Sequence, residues 1–131
     1  MEKVMKVKVS EAKGQVLDFL VAQAAGMKIY RSKSGRWMTA NYGEFNHRHG
    51  TPWFEPTISW AQGGPIIERE RISIEDCQDG AGLYWEATRI EPPAVSEARG
   101  PTPLIAAMRC YVASQLGDEV EVPEELKEVM A

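Results

Sequence analysis

The stretch "SWAQGGPIIERE", residues 59–70, is the clearest candidate for binding chemistry in this sequence. Consecutive glycines can present backbone N–H groups to an anion, and Trp60 and Gln62 stand beside them. Pro65 follows directly and has no N–H group. No lysine follows the glycines, as it would in a phosphate-binding loop. The pattern therefore predicts a tight turn that starts a helix with Pro65 at its first position. The alternative is a small anionic or polar ligand held by the amides of Gly63 and Gly64.

Two histidines, His47 and His49, stand two residues apart in "EFNHRHG", close to Glu44. On an extended segment both imidazoles would face the same side, an arrangement that suits zinc. The sequence indicates no third protein ligand, so the simpler interpretation is a pair of exposed loop histidines. No metal site is predicted.

The other reactive side chains form no recognised catalytic signature. Cys77 stands beside Asp76, and a neighbouring carboxylate raises the pKa of a thiol rather than lowering it. Cys110 falls in an apolar helical pattern and is expected in the core. Glu68 and Glu70 are two residues apart, so on a helix their side chains would diverge. The sequence therefore predicts no catalytic residue and no cofactor, and it favours binding over catalysis.

Two large aromatic residues, Trp53 and Phe54, stand together in the proline-bounded stretch "TPWFEP". Such residues in a loop either cover the core or form a contact surface for a protein partner. Both interpretations remain open from the sequence. The partner could be another protein or a second copy of this chain in a homodimer.

Composition narrows the classes of partner. The chain has 131 residues, of which 44% are hydrophobic and 26% charged, and its net charge is −4. These values are typical of a single folded domain over 1–131, and the acidic balance makes nucleic acid an improbable partner. The one basic cluster, residues 31–36, falls at a predicted hairpin tip. Two cysteines, no signal peptide and no apolar run long enough for a bilayer indicate a cytoplasmic protein without a membrane partner.

Local patterns predict the elements of the first half. Residues 4–9 alternate and predict a short edge strand. Ser10 is the expected N-cap of a helix that runs to about Ala25 and stops at Gly26. Residues 27–31 and 36–41 flank "SKSG" and predict a β-hairpin.

The loop and the second hairpin come next. Residues 42–56 are broken by glycines and prolines and predict a mobile loop. Residues 71–75 and 82–90 flank an Asp-Gly turn signal and predict a second hairpin, whose core face carries Leu83, Trp85 and Ala87.

A polar connector over residues 91–100 leads into the clearest helix of the sequence. That helix has Thr102 as N-cap, Pro103 at its first position and Gly117 as its stop. An acidic tail over residues 118–131 follows, in which Pro123 could open a short helix. Two hairpins and two main helices predict an α+β domain, with the helices on one face of a mostly antiparallel sheet.

These segments together resemble a known family. The stretches "ISWAQGGPIIERERISI", "LYWEA" and "GPTPLIAAMRCYVASQLGDEVEVPEEL", together with "KVSEAKGQVLDFLVAQAAG", resemble the NinX-like family of small phage proteins. The resemblance implies a phage or prophage origin and action in the host cytoplasm. It implies no catalytic residue, because the family's biochemical function is unknown. The positions that match the pattern are Trp60, Gln62, Gly63, Gly64, Pro65, Glu68, Arg69, Trp85, Pro101, Pro103 and Arg109.

Three of these matching residues are polar and are not explained by backbone geometry: Gln62, Arg69 and Arg109. We expect them to meet near the Gly63–Gly64 corner, as a buried polar network or as a ligand site that includes Trp60. Three hypotheses follow, of which the least favoured is a small hydrolase or metal enzyme around His47, His49 and a glutamate. The first is a non-enzymatic accessory protein that binds a protein partner through Trp53 and Phe54. The second is a protein that binds a small anionic or nucleotide-like ligand at the corner.

Overall fold

A computed structural model describes residues 3–39 and 53–129 of the chain, with the backbone alone in residues 127–129. Within these ranges the elements, in chain order, are β1 (Val4–Lys8), a 3-10 helix (Val9–Glu11), α1 (Gly14–Ala24), β2 (Ile29–Arg31), β3 (Trp37–Thr39), α2 (Trp60–Glu70), β4 (Ser73–Asp79), β5 (Gly82–Glu91), β6 (Ala94–Gly100), α3 (Pro103–Leu116), β7 (Glu119–Pro123) and a second 3-10 helix (Glu124–Val129).

Helix α3 is the centre of the molecule, and its predicted ends are confirmed. The hydroxyl of Thr102 accepts a hydrogen bond from the N–H of Ile105, and Pro103 occupies the first helical position. Gly117 ends the helix with φ of 92°. The helix packs against α1, α2 and the strands β4, β5 and β6, and half of its residues are buried. It therefore ties the other elements to one core.

The fold is α+β with antiparallel sheets, as predicted. The strands form three separate sheets, which pair β1 with β7, β2 with β3, and β4 with β5 and β6. Both predicted hairpins are present, and the second turns through Gly80 and Ala81. The helix count was too low, because α2 is a third main helix.

Strand β6 corrects the predicted polar connector over residues 91–100. Residues 94–100 pair with β5 over its second half, with Glu86 opposite Arg99 and Ile90 opposite Val95. Its inward positions, Ser96, Ala98 and Gly100, hold small residues. A Cβ at Gly100 would lie 2.7 Å from the backbone nitrogen of Ala106, so α3 leaves room for nothing larger. The strand was missed because small residues carry little hydrophobic signal.

The predicted start of the second helix was also wrong. Helix α2 begins at Trp60, with Ser59 as N-cap, so the two glycines and Pro65 lie inside the helix. A proline in the sixth position removes one backbone hydrogen bond and does not prevent the first turn from forming. Burial of Gln62, Gly63 and Ile66 against the core stabilises this turn despite its weak helix propensity.

The ends of the described chain lie together in a sheet. Strand β7 pairs with β1, and Lys6 and Lys8 stand opposite Glu121 and Glu119. Val122 is fully buried. Residues 119–123 are therefore structural, which corrects the prediction that 118–131 is an acidic tail. The predicted short helix after Pro123 is present as a 3-10 helix.

Two details at the first helix and the second hairpin differ from expectation. Ser10 lies in the 3-10 helix, and α1 begins four residues later at Gly14, where φ is +57°. Gly26, with φ of +71°, follows the helix as predicted. On β5, Ala87 is buried and Trp85 packs against the core, but Leu83 is exposed near the hairpin tip.

None of the described helices is long and apolar enough to cross a bilayer.

Candidate functional site

The Gly63–Gly64 corner is a packed stretch of helix. The N–H of Gly63 donates to the carbonyl of Ser59 at 2.8 Å, so it is not available to an anion. A Cβ at Gly63 would lie 2.6 Å from Cδ2 of Leu104 and 2.7 Å from the carbonyl oxygen of Pro56. Glycine is required there because α2 approaches both residues closely. The corner therefore offers no cradle of free loop amides.

Gln62 fastens the segment that precedes α2. Its Oε1 accepts from the N–H of Glu55 at 2.7 Å, and its Nε2 donates to the carbonyl of Trp53 at 2.7 Å. The side chain is buried. Both ends of the amide are thus used by the backbone, and a buried amide with partners at both ends is structural. We call residues 53–59 the Thr57 loop.

Asp18 on α1 provides a second anchor for this loop. Its Oδ1 accepts from the N–H of Thr57 at 3.0 Å, and both residues are buried. Burial raises the pKa of the Asp18 carboxyl from its ordinary value of 3.8 to about 7, although the hydrogen bonds from Thr57 act in the opposite direction. The loop is thus anchored by a carboxyl group that stays protonated to a higher pH than an ordinary aspartate. No local pattern predicts this pairing, because 39 positions separate the two residues.

The two predicted partner-binding aromatics have different surroundings. Phe54 is 2% exposed and belongs to the core, so it covers the interior as one of the two open interpretations stated. Trp53 is half-buried, and the guanidinium carbon of Arg36 lies 4.3 Å from the centre of its ring. Arg36 also pairs with Glu55 at 3.0 Å.

Two large apolar side chains close to these aromatics in the sequence face solvent. Ile58 is 71% exposed and Trp60 is 55% exposed, at the end of the Thr57 loop and the start of α2. Trp60 was named as a ligand residue from the sequence. Its exposure places it on an open surface rather than inside a pocket.

Arg69 and Arg109 have separate surroundings. Nε of Arg69 pairs with the carboxylate of Glu70 at 2.9 Å, and its guanidinium lies 5.9 Å from the ring centre of Tyr111. Arg109 donates from Nε to the carbonyl of Ala12 and from Nη1 to the carbonyl of Arg99, both at 2.8 Å. Burial lowers the pKa of Arg109 from its ordinary value. Arg109 therefore fastens the segment before α1 to β6.

The expected meeting of Gln62, Arg69 and Arg109 does not occur in the part of the chain that the structure describes. Each of the three has its own set of hydrogen-bond partners, and none of those partners is shared. The polar network at the Gly63–Gly64 corner is therefore reduced to Gln62 alone.

Arg109 instead lines an open groove with a volume of about 580 Å³. We call it the Arg109 groove, and its polar lining consists of Ser10, Tyr84, Glu86, Glu97, Arg99 and Arg109. Sequence reasoning identified Arg109 but missed the rest. The groove forms where β5 and β6 pair beside the first 3-10 helix, and no local pattern reveals that juxtaposition.

Thiol and metal chemistry gain no support from the geometry. Cys77 and Cys110 are both free, and Cys110 is buried, as predicted. Burial raises the pKa of the Cys110 thiol to about 11, so it is a poor nucleophile. Over residues 3–39 and 53–129, no three His, Cys, Asp or Glu side chains are grouped closely enough for a metal ion. Glu44, His47 and His49 lie outside these ranges, and the absence of a metal stays a prediction.

Comparison with known proteins identifies a family. Residues 8–115 match a protein-family model described as Bacteriophage P22, NinX. The match extends from the end of β1 to the last turn of α3, and so includes both the Thr57 loop and the Arg109 groove. A search of curated proteins returned no match.

Proposed function

The chain belongs to the NinX family of bacteriophage P22 and is a phage accessory protein, and we propose that it acts by binding another protein in the host cytoplasm. The contact surface that we assign consists of Ile58 and Trp60, with Trp53 and Arg36 at its border. The observation that carries the proposal is the exposure of Ile58, at the end of the firmly anchored Thr57 loop, and of Trp60, at the start of α2.

Ile58 and Trp60 are two of the eight large hydrophobic side chains that are exposed in the described part of the chain. A single exposed apolar residue needs no explanation, but a tryptophan and an isoleucine two residues apart form a small apolar patch. Phe54, in the same loop, is buried, so the loop has access to the core. Ile58 and Trp60 are exposed although Phe54, a few residues away, packs in the core.

The anchoring of the loop strengthens the argument. Gln62 holds the loop at Glu55 and at Trp53, and Asp18 holds it at Thr57. A buried polar group costs free energy unless it is hydrogen-bonded, and these anchoring side chains are hydrogen-bonded to the loop backbone. A loop held in this way presents its exposed residues in one conformation. Preorganisation of that kind reduces the entropy lost when a partner binds.

The residue types at the border also suit a protein interface. Tryptophan and arginine are enriched among residues that dominate binding energy. The guanidinium of Arg36 lies over the ring of Trp53, and its ion pair with Glu55 holds it there. An aromatic and a cation fixed side by side offer a partner apolar contact and hydrogen-bond donors together.

Photo-crosslinking during infection tests this proposal directly. A photoreactive amino acid replaces Trp60, the protein is expressed in phage-infected cells, and crosslinked species are identified by mass spectrometry after irradiation. We expect one dominant adduct with a single protein. Purified partner should then bind the wild type, and the variant Trp60→Ala should weaken binding by about 2 kcal/mol or more.

The matched control places the same photoreactive residue at Leu83, which is exposed on the tip of the second hairpin. Position 83 should give no dominant adduct. The proposal fails if positions 60 and 83 give the same adducts, or if Trp60→Ala binds the purified partner as tightly as the wild type. Adducts of the chain with itself would identify a second copy as the partner.

A further inference from the structure

The Arg109 groove lies beside strand β6, which pairs only with β5 among the described strands. Its lining includes four consecutive β6 residues, from Glu97 to Gly100, together with Ser10 and Arg109. A volume of about 580 Å³ falls within the usual range for small-molecule sites. The groove shares no lining residue with the contact surface assigned to Ile58 and Trp60.

Arg109 enters the groove as a fixed charge that is not neutralised. Its Nε and Nη1 are held by the carbonyls of Ala12 and Arg99, so the guanidinium cannot swing away. Across residues 3–39 and 53–129, no carboxylate pairs with it, and its Nη2 makes no hydrogen bond. A half-buried cation without a counter-charge favours an anionic group close to Nη2.

The opposite charge is also present without a partner. Glu97 lines the same groove, and no cation pairs with it anywhere in the described part of the chain. The remaining two charges of the lining largely satisfy each other, since Nε of Arg99 lies 3.5 Å from the carboxylate of Glu86. The groove thus contains one unpaired cation and one unpaired carboxylate.

The third feature of the groove is an aromatic ring with a guanidinium stacked on it. The guanidinium carbon of Arg99 lies 4.6 Å from the ring centre of Tyr84, and both residues line the groove. This stacking keeps Arg99 against the ring, and the hydroxyl groups of Ser10 and Tyr84 add hydrogen-bonding capacity nearby.

We propose that the Arg109 groove binds a small zwitterion, a free amino acid or short peptide, with its carboxylate on Nη2 of Arg109 and its ammonium group on Glu97. A ligand with both charges pairs the two groups that the protein leaves unpaired. A phosphate or another polyanion fits poorly, because Glu86 and Glu97 would repel it. A cation alone would leave Arg109 without a counter-charge.

Amide shifts in ¹H–¹⁵N NMR spectra of the full chain test this assignment with four related probes. Glycine and glycylglycine carry both charges, N-acetylglycine carries only the carboxylate, and glycinamide carries only the ammonium group. We expect saturable shifts at Ser10, Glu97 and Arg99 with at least one zwitterion. Its affinity should exceed that of either singly charged probe about ten-fold, the effect of one additional charge-assisted contact. Glycine and glycylglycine distinguish an amino acid from a peptide as the preferred ligand.

The variant Glu97→Gln removes only the proposed ammonium contact at an exposed position. It should reduce the affinity for the preferred zwitterion to that of N-acetylglycine, whose own binding should not weaken because a repelling carboxylate has been removed. Glu75→Gln, an exposed carboxylate on the neighbouring strand β4, is the matched control and should change neither affinity.

Three results would overturn the proposal. The first is the absence of saturable shifts with either zwitterion at millimolar concentrations. The second is N-acetylglycine or inorganic phosphate binding as tightly as the zwitterions, which would make the groove a simple anion site. The third is an equal loss of zwitterion affinity in Glu97→Gln and Glu75→Gln.

Discussion

Gln62 and Arg109 perform the same structural task in two regions of the molecule. Each side chain forms hydrogen bonds to two backbone groups, Gln62 within the Thr57 loop and Arg109 between the segment before α1 and β6. They differ in what remains afterwards. Gln62 is neutral, buried and bonded at both ends, whereas Arg109 is charged, half-buried and retains the unused donors of Nη2.

This difference separates a structural polar residue from one that can also bind a ligand. A buried amide whose hydrogen bonds are complete has nothing to offer another molecule. A guanidinium has five donors, and two backbone carbonyls cannot occupy them or neutralise its charge. The Thr57 loop is therefore a support for an exposed surface, and the Arg109 groove is a site in its own right.

The largest effect that we expect concerns Asp18, the other anchor of the Thr57 loop. Its pKa is raised by burial from 3.8 to about 7, so between these pH values the folded state holds a proton that the unfolded state has released. Stability should therefore fall as pH rises from about 4 to 7, by up to roughly 4 kcal/mol. Asp18→Asn removes the titrating group and should remove this slope.

Urea unfolding at pH 5 and pH 8 measures the effect. Asp118→Asn, an exposed position, should lose stability over this range as the wild type does. If Asp18→Asn and the wild type lose stability in parallel between the two pH values, the raised pKa of Asp18 is wrong.

The next prediction compares Gln62 and Arg109, the two side chains that each bind two backbone groups. Gln62→Leu removes the hydrogen bonds to the part-buried N–H of Glu55 and to the carbonyl of Trp53, and should cost about 3 kcal/mol in the free energy of unfolding. Arg109→Met leaves two carbonyls in a region that water reaches, and should cost about 1 kcal/mol. Urea unfolding of both variants at one pH gives the difference. Equal losses of stability would contradict the distinction between Gln62, whose amide is bonded at both ends, and Arg109, whose Nη2 is not bonded.

The smallest effect tests how closely the Thr57 loop packs against α2. Gly63→Ala places a Cβ within 2.7 Å of the Pro56 carbonyl oxygen and should destabilise by about 2 kcal/mol. Gly64→Ala meets no atom within 4 Å and should stabilise the helix by about 0.5–1 kcal/mol. Thermal unfolding of the pair should give melting temperatures on opposite sides of the wild type. A shift in the same direction for both would contradict the close approach.

The parts of the fold that could be predicted from the sequence are those with local signals. The ends of α3 follow from Thr102, Pro103 and Gly117, because caps depend on a few adjacent residues. The two hairpins follow from turn chemistry in the same way. Strand β6 could not be predicted, since its small inward residues have meaning only beside α3.

The candidate site was harder to predict for the same reason. Gly63, Gly64 and Pro65 are locally typical of a turn, and only the contacts of Gly63 with Leu104 and Pro56 explain the helix. Arg109 was correctly singled out as a polar residue without a backbone role to explain it. Its neighbours in the groove, Arg99 and Tyr84, come from the paired strands β6 and β5, and β6 was not predicted.

The pairing of β1 with β7 has a consequence for how the protein emerges during synthesis. Lys8 stands opposite Glu119, so more than a hundred residues must be translated before β1 can meet its partner. The hairpins of β4, β5 and β6, and the docking of α3 on them, need only residues 73–116. We therefore expect the central sheet and its helix to form first on the ribosome. Strand β1 is synthesised early but pairs only after β7 has been made, and this pairing completes the core around Val7 and Val122.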